Sequence, residues 1–142
     1  MKKLTAILVS LVLMAGVCMV GTVSASAANS TDPPLLRLSY INYTVTNIGV
    51  SGGQATCAGL VVGYSGTTTK VTIALYLERK LASSSTWSTC ASDSQTTNGV
   101  NASLQIKASV SSGYQYRTHA VYKAYAGSSY ETLDGYSSVV TY

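Results

Sequence analysis

The stretch KVTIALYLERK, Lys70 to Lys80, decides the fold class, because it can be read in two ways. As a strand, Val71, Ile73, Leu75 and Leu77 alternate with Thr72, Ala74, Tyr76 and Glu78, four matches of four to a period of two. As a helix, the overlapping run IALYLERKL supplies good helix formers. The strand reading is the stronger one. Val71, Thr72, Ile73 and Tyr76 favour a pleated backbone, and no clear capping residue precedes them.

Working toward the N-terminus, QATCAGLVVGYSG is apolar on both alternating faces, which fits a central strand ending in a turn at Ser65-Gly66. Before it, LLRLSYINYTVTNIGV alternates Ile41, Tyr43 and Val45 against Asn42, Thr44 and Thr46, and Ile48 and Val50 then continue in the opposite phase. That slip predicts a bulge or a change of sheet near Asn47.

Toward the C-terminus, the serine-rich stretch LASSSTWSTCASDSQTTNG reads as a loop, a short strand around Trp87 to Ala91, and a second loop. Trp87, the only tryptophan, is expected to plug the core, since a ring of that size dominates a small interior. In GVNASLQIKASV the alternation is clear, with Val100, Ala102, Leu104, Ile106 and Ala108 on one face. In GYQYRTHAVYKAYAG the even positions carry Tyr116, Thr118, Ala120, Tyr122 and Ala124, and the odd ones carry Arg117, His119 and Lys123. The charged residues therefore share the solvent side of one strand, while Tyr116 and Tyr122 pack inward. A last strand, YETLDGYSSVVTY, is expected to break at Asp134-Gly135. About seven strands with Gly and Ser turns and no convincing helix predict an all-β fold, an antiparallel two-sheet β-sandwich.

The N-terminus has a different character. Lys2 and Lys3 precede a long apolar run that closes in Ala25-Ser26-Ala27, the three parts of a secretory signal over residues 1–27. This segment is expected to be a helix that is removed on export, leaving a flexible leader at 28–35 and a single domain at 36–142. An uncleaved anchor is the competing reading, because Leu4 to Val20 approaches a membrane-spanning length. Removing 27 of the 142 residues leaves 115, enough for one small sandwich and no second domain. The formal charge of +4 falls to about +2 when Lys2 and Lys3 are lost. The remaining basic residues are scattered, which argues against a nucleic-acid partner.

Cys57 and Cys90 survive processing, and the sequence leaves two readings of them. They form a disulfide outside the cytoplasm, worth roughly 3–4 kcal/mol in the chain-entropy model, or one is a buried thiol and the other incidental. Two cysteines and a single histidine make a poor metal site. No cofactor motif, phosphate loop or nucleophile elbow is present. The carboxyls Asp32, Glu78, Asp93, Glu131 and Asp134 stand singly, with no spacing that pairs them for glycoside hydrolysis. His119 reads as a solvated surface histidine rather than a catalytic base. These features point away from an enzyme.

The residues GGQATCAGLVVGYSGTTTKVTIALYLERK, Trp87 after its serine loop, and SGYQYRTHAVYKAYAGSSYE together resemble a family of small secreted proteins of unassigned function from Gram-positive, clostridia-type bacteria. The similarity runs from about Leu38 to Ser138. It rests most on Gly-x-Ala-x-Cys-x-Gly at 53–59 and Gly-Tyr-x-Tyr-Arg at 113–117, and it implies one exported domain with no catalytic residues to carry over. The spacing from Gly113 to Tyr116 and Ala120 is also similar to the penultimate strand of fibronectin type III and immunoglobulin-like domains, where a tyrosine anchors a corner. The cysteine that antibody domains carry two residues after that tyrosine is absent here, so any bridge of Cys57 would run to Cys90.

Two functional classes follow. The first is a non-catalytic binding or cell-surface interaction module, secreted and free of the membrane once its signal is cleaved. Its expected contact residues are the exposed tyrosines Tyr64, Tyr76, Tyr125 and Tyr130 with the charged face Arg117, His119 and Lys123, and its expected partners are a cell-wall glycan or an envelope protein. The second is a small secreted effector resembling a bacteriocin. Against both stands a plain reading, in which the eleven tyrosines replace the absent phenylalanines in a small core.

Overall fold

The computed structural model describes residues 37–142, so the expected signal segment and leader lie outside the described residues. The strands are β1 (Ile41–Ser51), β2 (Gln54–Gly63), β3 (Lys70–Leu81), β4 (Ser88–Thr97), β5 (Asn101–Ser109), β6 (Tyr114–Ala126), β7 (Ser129–Tyr136) and β8 (Val140–Thr141), with no helix among the described residues. They form a three-stranded sheet in the order β1-β2-β5 and a five-stranded sheet in the order β4-β3-β6-β7, with the two-residue β8 also paired to β6. Every pairing is antiparallel. The architecture is a β-sandwich. Its fourth strand pairs with the third, whereas the constant-type immunoglobulin arrangement places that strand in the first sheet.

The stretch Lys70–Lys80 is a strand. Val71, Ile73, Leu75 and Leu77 are all fully buried, and the residues between them are only partly covered. A helix over the same residues would spread these four around its circumference instead of aligning them on one face. Facing them from the other sheet are Ala55, Cys57 and Val61 of β2 and Ala102 of β5, and β6 adds Tyr116, Ala120, Tyr122 and Ala124 to complete the core.

Two expectations about strand phase are corrected. In β1 the irregularity lies between Ile41 and Tyr43, not near Asn47. Thr46 and Ile48 consequently lie on the inner side, while Tyr43 and Val45 stand exposed on the outer one. In β7 the chain runs straight through Asp134-Gly135 and breaks afterward, at residues 137–139. Gly135 is needed there because a Cβ would collide with Thr46 Oγ1 and come within 2.9 Å of the Tyr122 ring.

Polar pins join the two layers. The buried Tyr122 hydroxyl donates to Val45 O at 2.7 Å and pairs with Thr46 Oγ1 at 2.7 Å; because its single hydrogen is already used, Thr46 is the donor of that second bond. Thr118, also buried, donates to Asn47 O at 3.0 Å. The Glu131 carboxylate on β7 accepts from the backbone N–H groups of Ser39 (2.8 Å), Tyr40 (2.5 Å) and Ile41, which ties the entry of β1 to the opposite sheet. Tyr116 closes a corner within the chain before β6: its hydroxyl donates to Ser111 O at 2.8 Å and accepts from Ser111 N at 3.0 Å.

Candidate binding face

Strand periodicity and register place the outward side chains of the five-stranded sheet in cross-strand rows. One row is Lys70, Tyr125 and Tyr130, in direct register across β3, β6 and β7. The next holds Thr96, Thr72, Lys123 and Thr132, followed by Ser94, Ala74, Val121 and Asp134. The fourth row is Ser92, Tyr76, His119 and Tyr136, and the fifth brings Glu78 beside Arg117. The two aromatic rows are six residues apart along β6, about 20 Å at the rise of a β-strand. Between them the side chains are mostly small and hydroxyl-bearing, and Thr72 and Thr96 hydrogen-bond across the floor at 3.0 Å.

The row containing His119 is a connected network. The imidazole stacks on Tyr136, with centroids 4.6 Å apart and planes 10° from parallel, and its other neighbour is Tyr76 at 5.5 Å. Its Nε2 lies 2.9 Å from Asp134 Oδ1 and its Nδ1 lies 3.3 Å from Glu78 Oε1. Glu78 also accepts from Arg117 Nε at 2.7 Å. The Arg117 guanidinium lies between two rings, 4.3 Å from the Trp87 centroid and 4.6 Å from that of Tyr136. Lys80 approaches Trp87 at 5.3 Å. Cation–π contacts of this kind fix the orientation of exposed rings.

The other aromatic row is simpler. Tyr125 and Tyr130 lie 5.5 Å apart at 39°, with Lys70 Nζ 4.0 Å over Tyr125 and Lys123 Nζ 5.5 Å over Tyr130.

Of the residues singled out from sequence, Tyr76, Tyr125, Tyr130, Arg117, His119 and Lys123 therefore share one face. Tyr64 does not belong to it. It is exposed in the turn after β2, with its N–H bonded to Tyr40 O. Tyr76 and Tyr125 are half-buried rather than exposed, because neighbouring rings and cations cover them.

His119 is not a freely solvated histidine, and Glu78 and Asp134 are not solitary acids: strand pairing brings one carboxylate to each side of the imidazole. Trp87 is not a core plug. It lies in the connection before β4, outside both layers, where its ring receives cations. Tyr136 and Lys70 complete the face and were not singled out, although the alternation of β3 and β7 carried their outward position. Cys57 and Cys90 are free thiols in this structure. Cys57 faces the core, where burial pushes its thiol up from the ordinary 9.0, a hydrogen bond with Thr118 opposes that rise, and the nearby Cys90 adds to it. Cys90 is on the surface, at the irregularity between β3 and β4, with its thiol directed at Leu77 O at 3.2 Å.

Both ring nitrogens of His119 are directed at carboxylates, so neither is placed to take a proton from a serine or threonine hydroxyl. Among the described residues no group of three His, Cys, Asp or Glu side chains is arranged to hold a metal ion. A hollow of about 530 Å³ lies elsewhere, on the outer side of the three-stranded sheet, lined by Val45, Asn47, Ala58, Leu60, Ser103 and Gln105. It is open and has no charged group in its lining, whereas the aromatic face carries rings with cations set beside them. Comparison of the chain with protein-family models, curated proteins and solved structures gives no match.

Proposed function

We propose that the chain is a secreted, non-catalytic binding module that engages the cell envelope through the outer face of its five-stranded sheet. The observation that carries this reading is the pair of aromatic rows, Tyr125–Tyr130 and Tyr76–His119–Tyr136, on one solvent-facing surface with a low hydroxyl floor between them. Solubility alone does not call for rings there, since Ser and Thr serve that purpose along β4. Rings already oriented by Lys70, Arg117 and Lys123 offer broad contact area at small entropic cost. Their spacing suits a chain-like ligand lying across the strands.

The test is co-sedimentation with insoluble cell-wall glycan and with envelope extract. Tyr125→Ala and Tyr136→Ala, one variant for each row, are expected to weaken retention about tenfold each while the far-ultraviolet circular dichroism spectrum is unchanged. Equal retention of both variants would remove this face from consideration.

A further inference from the structure

The two aromatic rows differ in how their charges are used, and that difference bears on the ligand. Around His119 the charges are mutually satisfied: Arg117 pairs with Glu78, and His119 faces Glu78 and Asp134. These three are the only ion pairs among the described residues, so Lys70 and Lys123 have no carboxylate partner. The acid nearest in sequence to that end of the face, Glu131, points to the other side of β7 and is occupied by three backbone amides. Two free ammonium groups thus flank the half-buried Tyr125 and the exposed Tyr130, and each has hydrogens to donate beyond the ring it covers.

The geometry points to an anionic polysaccharide as the ligand, with its acid groups held by Lys70 and Lys123 and its sugar rings lying on Tyr125 and Tyr130. The inference rests on the binding face proposed above and assigns that face its ligand class. Charge complementarity supplies the anion, since the cations at this end have no counter-ion among the described residues. A polysaccharide suits the remainder of the surface better than a protein does. The floor between the rows offers the hydroxyls of Thr72, Thr96, Thr132 and Ser94. Its apolar content is limited to Ala74 and Val121, far short of the dry apolar centre a protein interface buries.

The experiment is affinity gel electrophoresis of the chain through gels containing polygalacturonate, dextran or polyglutamate at equal mass. Polygalacturonate is expected to retard the protein at low ionic strength, with the retardation weakening as salt screens exposed charges, and dextran is expected to have little effect. The double substitution Lys70→Gln with Lys123→Gln should weaken apparent affinity about tenfold, and Lys70→Arg with Lys123→Arg should restore it by returning the charge.

Equal retardation of the Gln double variant would overturn the inference, and so would polyglutamate acting as strongly as polygalacturonate, because charge alone would then suffice. The underlying reading fails separately. Retention on envelope material that persists without any response to polygalacturonate would discard the anionic ligand and keep the binding face. Absence of both would discard both.

Discussion

The outer faces of the two sheets are built from different materials. On β1, β2 and β5 the only charged side chain is Lys107, and the outer surface is Tyr43, Val45, Ala58, Leu60 and Val62 with a few amides and hydroxyls. All the other charged side chains carried by strands lie in the five-stranded sheet, many of them against rings. Both outer faces meet water, so exposure does not dictate the contrast. A face that needs only to be wetted can be made of serine and threonine, as β4 is. A face that gathers Tyr, His and Trp between paired charges has a structure beyond wetting, and the binding role proposed above is the reading that would explain it.

This comparison depends on the layers keeping their register, and the largest expected effect comes from breaking the link between them. Glu131→Ala removes the acceptor for three backbone N–H groups at the entry to β1. Unsatisfied donors and the lost charge-assisted bonds together predict a destabilisation of about 3 kcal/mol in chemical denaturation. Glu131→Gln retains one acceptor oxygen and should fall between Ala and the parent. A loss below about 0.5 kcal/mol for Glu131→Ala, the size of an ordinary surface substitution, would show that the entry of β1 does not depend on this carboxylate.

A smaller effect is expected at Tyr122, which pins β6 to β1 from inside. Tyr122→Phe keeps the ring and deletes the hydroxyl that serves Val45 O and Thr46 Oγ1, predicting a loss of about 1–2 kcal/mol at neutral pH. Burial pushes the Tyr122 phenol up from its ordinary 10.0. A folded-state value above the unfolded one means the unfolded chain loses this proton first as pH rises. The stability contribution is therefore complete below pH 10 and is lost as pH climbs through the folded value. Denaturation midpoints should fall above pH 10 in the parent, and Tyr122→Phe should show a shallower fall. An identical alkaline slope in the two proteins would show that Tyr122 stays protonated, or is not the group responsible.

How much of this was legible in the sequence follows from the kind of interaction concerned. The period-two patterns of β3, β5 and β6 gave the sandwich, because burial of alternate side chains is written locally in the chain. The shared outward side of Arg117, His119 and Lys123 was legible for the same reason. The network around His119 was not, because it needs two registers at once: Tyr76 opposite His119 on β3, and Tyr136 opposite it on β7.

In β1 the apolar phase misled, because Thr46 faces inward with its hydroxyl satisfied by Tyr122, and Tyr43 and Val45 are left outside. Trp87 misled through its size. A large ring in a connection outside the layers cannot reach the core, and the cations that cover it come from Lys80 in β3 and Arg117 in β6. The plain reading of the tyrosines holds for Tyr116 and Tyr122, the only two of the eleven that are fully buried.

The smallest expected effect tests the comparison from its other side. Tyr43 is 50% exposed and Val45 39% exposed on the three-stranded sheet, so Tyr43→Ser and Val45→Thr give up little buried surface. Val45→Thr keeps a β-branched side chain, and each change should alter stability by no more than about 0.5 kcal/mol. If recognition belongs to the five-stranded face, both variants should sediment with envelope material as the parent does. A tenfold loss in either, at unchanged stability, would move the contact to the apolar hollow beside Val45 and Leu60. The rings of the charged face would then be a way of keeping one side of the sandwich soluble while the plainer side does the binding.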